Sequence, residues 1–162
     1  MSGKKLLSLL PGFSMDEVMT GTHEFLPGAG PPGTLPFEFR VRWGTSDMGE
    51  FLDPRGKNFM VNDMEGTVTV GGLCEDVRCS GTLELRYFKD QKIRYAFEFS
   101  VDGATYRFVG EKVNILPWNL ATSHTTCFGT LTDGTGQLLS RSLTFFRLRT
   151  APAFLASFRL AS

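Results

Sequence analysis

The sequence predicts an all-β fold: a single antiparallel, mostly up-and-down β-barrel, lipocalin-like or calycin-like in outline. Three observations predict it. Residues 77–112 divide into three short runs in which apolar and polar side chains alternate with a period of two, the signature of strands with one dry and one wet face. Runs of this kind, about eight in all, are joined in order by short polar turns with few helical segments between them. Finally, 15 Phe and 18 Gly in 162 residues suit a β-domain that needs aromatic filling and tight corners.

The elements follow in order. Residues 1–12 read as a short helical turn or arm covering one barrel end, broken by Pro11-Gly12, and residues 13–162 as one barrel domain. Phe13 to Phe25 is the first strand, with Phe13, Met15, Met19 and Phe25 sharing a face with Glu17, Gly21 and His23. Leu26 to Pro36 is too rich in Pro and Gly for regular structure and reads as a surface loop. Phe37, Phe39, Val41 and Trp43 alternate with Glu38, Arg40 and Arg42. Asp53-Pro54-Arg55-Gly56 is a turn following one possible helical turn. Met60 to Val70 is a strand with Met60, Met64, Val68 and Val70 in phase with Gly66. In the central meander, Leu83 and Leu85, then Tyr95, Phe97 and Phe99, then Tyr106 and Phe108 point inward. Asp102-Gly103 is the two-residue hairpin signal between the last two runs. Leu116 to Leu120, with Pro117 and Trp118, excludes an interior strand. Thr122 to Leu131 is β-prone, Asp133 to Gly136 turns the chain into Leu138 to Leu148, and residues 154–160 suit a short helix as well as a strand.

One pattern recurs: MTGT (19–22), MEGT (64–67), CSGT (79–82) and CFGT (127–130). In the first three the Gly falls on the apolar face. Inward glycines let a sheet coil until it closes, so these positions are expected at barrel corners.

Composition excludes several classes of function. The 17 basic and 17 acidic residues balance without a run of either sign, which argues against nucleic-acid binding. No stretch approaches the length of a membrane span. Three Cys without a C-x-x-C, and two His, give no metal set, and a reduced cytoplasmic setting is expected. No motif for phosphate or a flavin is present, so no cofactor is expected.

The residues Met19-x-Gly21, Gly66, Gly81-x-x-x-Leu85, Tyr95-x-Phe97 and Gly103-x-x-Tyr106-x-Phe108-x-Gly110-x-Lys112 carry a resemblance. The chain resembles, over residues 15–160, the small accessory β-domain of long bacterial oxidoreductases of the glucose–methanol–choline type, those acting on sterols. It has no G-x-G-x-x-G opening a βαβ unit, so the flavin domain and its oxidation chemistry do not carry over. The resemblance implies an association with sterol-like or lipid-like compounds.

The inward lining defines the candidate site. Glu17, His23, Tyr106 and Lys112 are the candidate catalytic groups, because polar side chains inside a barrel are costly unless they pair or meet a ligand. Met19, Phe39, Trp43, Met64, Tyr95, Phe97, Trp118 and Arg141 are the candidate ligand-binding residues. Each has a plainer reading: His23, Lys112 and Arg141 near strand ends can reach solvent with packed stems, and the Met and aromatic residues can be ordinary core. His124 faces in or out according to the phase of Gly129. The expected function is binding of an apolar small molecule, lipid-, sterol- or polyketide-like, of the kind met in secondary metabolism. The alternatives are a cofactor-free cyclase or isomerase of the same shape, and an interaction module forming a homodimer or docking to an oxidoreductase.

Overall fold

In the computed structural model of the chain, residues 6, 9–86, 90–113, 126–146 and 159–161 are described. Eight antiparallel strands close into a barrel: β1 (Gly12–Phe25), β2 (Leu35–Thr45), β3 (Val61–Val70), β4 (Cys74–Arg86), β5 (Lys92–Val101), β6 (Ala104–Lys112), β7 (Thr126–Asp133) and β8 (Leu138–Phe146). Each pairs with its neighbour in sequence, and β1 closes the ring by pairing with both β2 and β8. One helical turn, α1 (Met48–Phe51), capped by the Asp47 side chain on the Glu50 amide, precedes the Asp53–Gly56 turn. A three-residue strand, β9 (Arg159–Ala161), pairs with the start of β1 at Gly12–Ser14, so the end of the chain is extended there.

The register fixes the shape. From Ser14 the paired residues run through Gly44, Asp63, Thr82, Ala96, Val109, Thr130 and Arg141 and return to β1 at Glu24, ten residues further on. With eight strands, that stagger tilts them by about 40° to the barrel axis and leaves an interior just wide enough for side chains or one small ligand.

Phe rings fill the middle of the lumen. Phe108 meets Phe37, Phe39 and Phe97 with ring centroids 4.8–5.5 Å apart, and Phe39 continues the contact to Phe97 at 5.5 Å and to Tyr95 at 5.4 Å. Because β2, β5 and β6 supply these rings, the facing wall of β7 and β8 carries small groups at that level, Gly129, Ser142 and Thr144. A Cβ at Gly129 would fall on the Phe108 ring and the Ser142 hydroxyl, and one at Gly110 on Phe108 and Cys127. Gly21, Gly66 and Gly81 do a different job: a Cβ there would collide with the backbone of the next strand, at Leu143, Arg40 and Ala96 respectively. These are the corners the recurrent motif anticipated, whereas its fourth copy, at Gly129, makes room for a ring. The predicted Asp102-Gly103 hairpin has both residues at positive φ (50° and 83°), as a type I′ turn requires.

Two readings of phase need correction. Met60 is not a strand residue: its φ is 55°, its amide donates to Phe51 O and its carbonyl accepts from Leu85 N, so β3 starts at Val61 and Asn62 takes the first inward place. Arg141 is exposed on the outer wall and does not line the lumen. The apolar residues of β8 in phase with Arg141 (Leu139, Leu143, Phe145) face outward, while Ser140, Ser142 and Thr144 face in, because the Phe rings already occupy that level.

The two barrel ends differ. At the upper end the connections are residues 26–34, 71–73, 102–103 and 134–137; at the lower end they are 46–60, 87–91 and 113–125. Among the described residues no helix is long and apolar enough to cross a membrane.

Candidate functional site

Alternation along β1 puts Glu17 in the lumen between Met15 and Met19, and the strands across from it supply its partners. Trp43 Nε1 donates to Oε2 at 3.0 Å. The Tyr95 hydroxyl lies 2.9 Å from Oε1 and 3.1 Å from Oε2. Lys112 Nζ donates to Oε1 at 2.7 Å. The carboxylate thus collects donors from β2, β5 and β6, and the Glu17–Lys112 ion pair spans the barrel. A charge in this apolar interior is tolerable only with such company. The Lys112 side chain is 8 % exposed, and its ammonium lies 5.3 Å from the Tyr95 ring centroid and 5.7 Å from that of Phe146. Below the quartet, toward the lower end, are the partly buried Phe13, Met15, Leu85, Ile93 and Phe146.

Of the four candidate catalytic residues, the fold brings Glu17 and Lys112 together and leaves His23 and Tyr106 apart. Each of those two lies six residues higher on its strand, ~20 Å along the chain from the ion pair. His23 is buried, with Nε2 2.8 Å from the Gly71 carbonyl and its ring against Phe25 and Phe37. Burial lowers its pKa, only partly offset by the Gly71 hydrogen bond. Tyr106 faces inward and stacks on Phe99 at 5.6 Å. Among the candidate ligand-binding residues, Met19, Phe39, Trp43, Met64, Tyr95 and Phe97 are all buried inside the barrel. Trp118 and His124 lie outside the described residues.

Sequence reasoning missed the polar ends of Trp43 and Tyr95, counted there as apolar lining. The signal was available: a lumenal carboxylate needs donors, and an inward Trp or Tyr is the usual way to supply one. It also missed Asn62, whose Nδ2 donates to Leu83 O at 3.3 Å. The cysteines are poor nucleophiles. Burial pushes the Cys79 and Cys127 thiols up to about 12 and raises Cys74 as well. A large concavity, about 760 Å³, is an open groove along β1–β4, flanked by Asp16, Arg40, Arg42, Glu65 and Arg78 and lined also by Glu17, Cys79 and Phe146. It touches the quartet only at Glu17, and its Arg42 is paired with Asp16 at 2.7 Å. The chemistry is inside, so the quartet is the candidate site. No protein-family model, curated protein or solved structure matches the chain.

Proposed function

We propose that the protein binds an apolar small molecule carrying a neutral oxygen, at the lower end of the barrel, with Lys112 receiving that oxygen. The observation that supports this is the unspent capacity of a nearly buried ammonium. Lys112 has three N–H donors, and among the described residues Glu17 is its one hydrogen-bond acceptor. The ion pair is already neutral, so a ligand carboxylate would add an uncompensated charge to an apolar interior, while a carbonyl or hydroxyl would not. Phe13, Met15, Leu85 and Ile93 supply the apolar contact. Lipid-, sterol- and polyketide-like compounds have the required combination, and the resemblance to the accessory domain of sterol oxidoreductases favours including sterols.

The test is a panel matched in chain length: ketone, alcohol, carboxylic acid and hydrocarbon, with a sterol beside them, titrated by calorimetry. A hydrogen bond from a charged donor predicts that the ketone and alcohol bind about tenfold or more tighter than the hydrocarbon. Lys112→Met should remove that preference. Equal affinity for the hydrocarbon, or preference for the acid, contradicts the proposal.

The quartet also supports a second reading. A carboxylate, an ammonium and a phenol meet at one point, which is an acid–base set able to assist cyclisation or isomerisation of a substrate folded in the lumen. Turnover of a bound compound, lost in Tyr95→Phe and Glu17→Gln with binding retained, would establish it.

A further inference from the structure

A second group of polar atoms lies in the upper lumen, on the seam where β1 meets β8 to close the barrel. His23 is 1 % exposed, and its Nε2 faces the Gly71 carbonyl, which can only accept. The proton therefore sits on Nε2, and Nδ1 presents a lone pair. Ser142 is the cross-strand partner of His23, and Ser140 is the partner of Phe25. Among the described residues, nothing hydrogen-bonds His23 Nδ1, Ser140 Oγ or Ser142 Oγ, although all three atoms are shut off from solvent. Buried polar atoms are nearly always satisfied, and three neighbours left open together point to a shared partner.

The surroundings say what that partner is. Phe25 and Phe37 stand 4.8 and 5.8 Å from the imidazole, and Phe108 packs against Ser142 across Gly129, so only a small molecule fits. A cation would need negative ligands and finds no carboxylate in the group. An anion would face a neutral imidazole lone pair. A molecule that donates to Nδ1 and exchanges hydrogen bonds with hydroxyls satisfies every atom, and water with two to four polar partners does so. We infer that the upper lumen is a binding site for ordered water, seated between His23 Nδ1 and the hydroxyls of Ser140 and Ser142. The water ties β1 to β8 through side chains as the backbone ladder ties them through amides.

A crystal structure of the full chain at near-atomic resolution tests this. The expected result is a single-atom peak at hydrogen-bond distance, about 2.6–3.2 Å, from His23 Nδ1 and at least one of the two serine hydroxyls, lost in Ser140→Ala/Ser142→Ala. A dry site with the hydroxyls turned to main-chain carbonyls, or a peak with the distances of a metal ion, would overturn it. Nitrogen NMR of wild-type protein gives a second reading that does not depend on the variant folding. A water cross-relaxation peak at the His23 ring with a hydrogen-bonded Nδ1 shift supports the site. A free lone-pair shift without the water peak refutes it.

Discussion

Glu17 shows how much one side chain depends on its company. Its carboxylate meets an indole, a phenol and an ammonium from three strands, all inside the barrel. Removing either charge strands the other, so Glu17→Gln and Lys112→Met should each destabilise the fold by about 3–5 kcal/mol. Removing both leaves no buried charge. The double variant should therefore lose much less than the two losses added together, as read from urea midpoints. Additive losses would mean that the pair is not coupled as the geometry requires. His23 gives a pH dependence with a definite sign. Its pKa in the fold is lowered from 6.5 by burial, so below about that pH the unfolded chain binds more protons than the folded one. Stability from this residue is full above 6.5, falls as the pH drops, and levels off once the folded-state pKa is passed. Denaturation of wild type and His23→Gln between pH 8 and about 4 should show the acid loss in wild type and its attenuation in the variant.

At the scale of the element, the glycines separate into corners and spacers. A Cβ at Gly66 meets the backbone of Arg40 and Val41, which cannot yield without bending β2, whereas at Gly134 it meets only Thr105 O at an ordinary 3.4 Å. Gly66→Ala should cost about 2–4 kcal/mol, and Gly134→Ala should stay within about 0.5 kcal/mol; thermal unfolding of the pair distinguishes them. Similar losses at both positions would show that the strand corner is not what constrains Gly66. The strands themselves were legible because one-sided burial writes a period of two into the sequence, as in β5, where Tyr95, Phe97 and Phe99 are buried and Glu98 and Ser100 are not. β8 was not legible for the same reason turned round. Its Leu139, Leu143 and Phe145 face outward, and Phe145 and the neighbouring Phe128 of β7 are 44 % and 55 % exposed, because other strands had already filled the interior with rings. Hydrophobic alternation gives the period of a strand, but only its packing partners give the phase. The candidate site was half legible. The sequence marked Glu17 and Lys112 as inward charges, but their 95-residue separation hides the contact, and nothing local assigns Tyr95 and Trp43 as their donors.

At the scale of the molecule, the ten-residue stagger and eight strands make a barrel whose mid-section is packed with Phe and whose polar chemistry sits to either side of that packing. Below it, the ion pair lies toward the end carrying the connections 46–60, 87–91 and 113–125. Above it, His23 and its serines lie toward the end carrying the connections 26–34, 71–73, 102–103 and 134–137, none as long as 46–60 or 113–125. This division makes the lower end the place to look for a ligand, since connections of such length are where binding residues concentrate on a rigid scaffold. The most direct measurement is native mass spectrometry of the protein as purified, and again after incubation with the matched panel, with the organic extract analysed alongside. Binding of an apolar compound predicts a stoichiometric adduct whose extracted ligand carries a neutral oxygen, and which is lost in Lys112→Met. An unchanged mass with every compound offered, and an empty extract, would contradict it and leave the quartet as a strut of the fold.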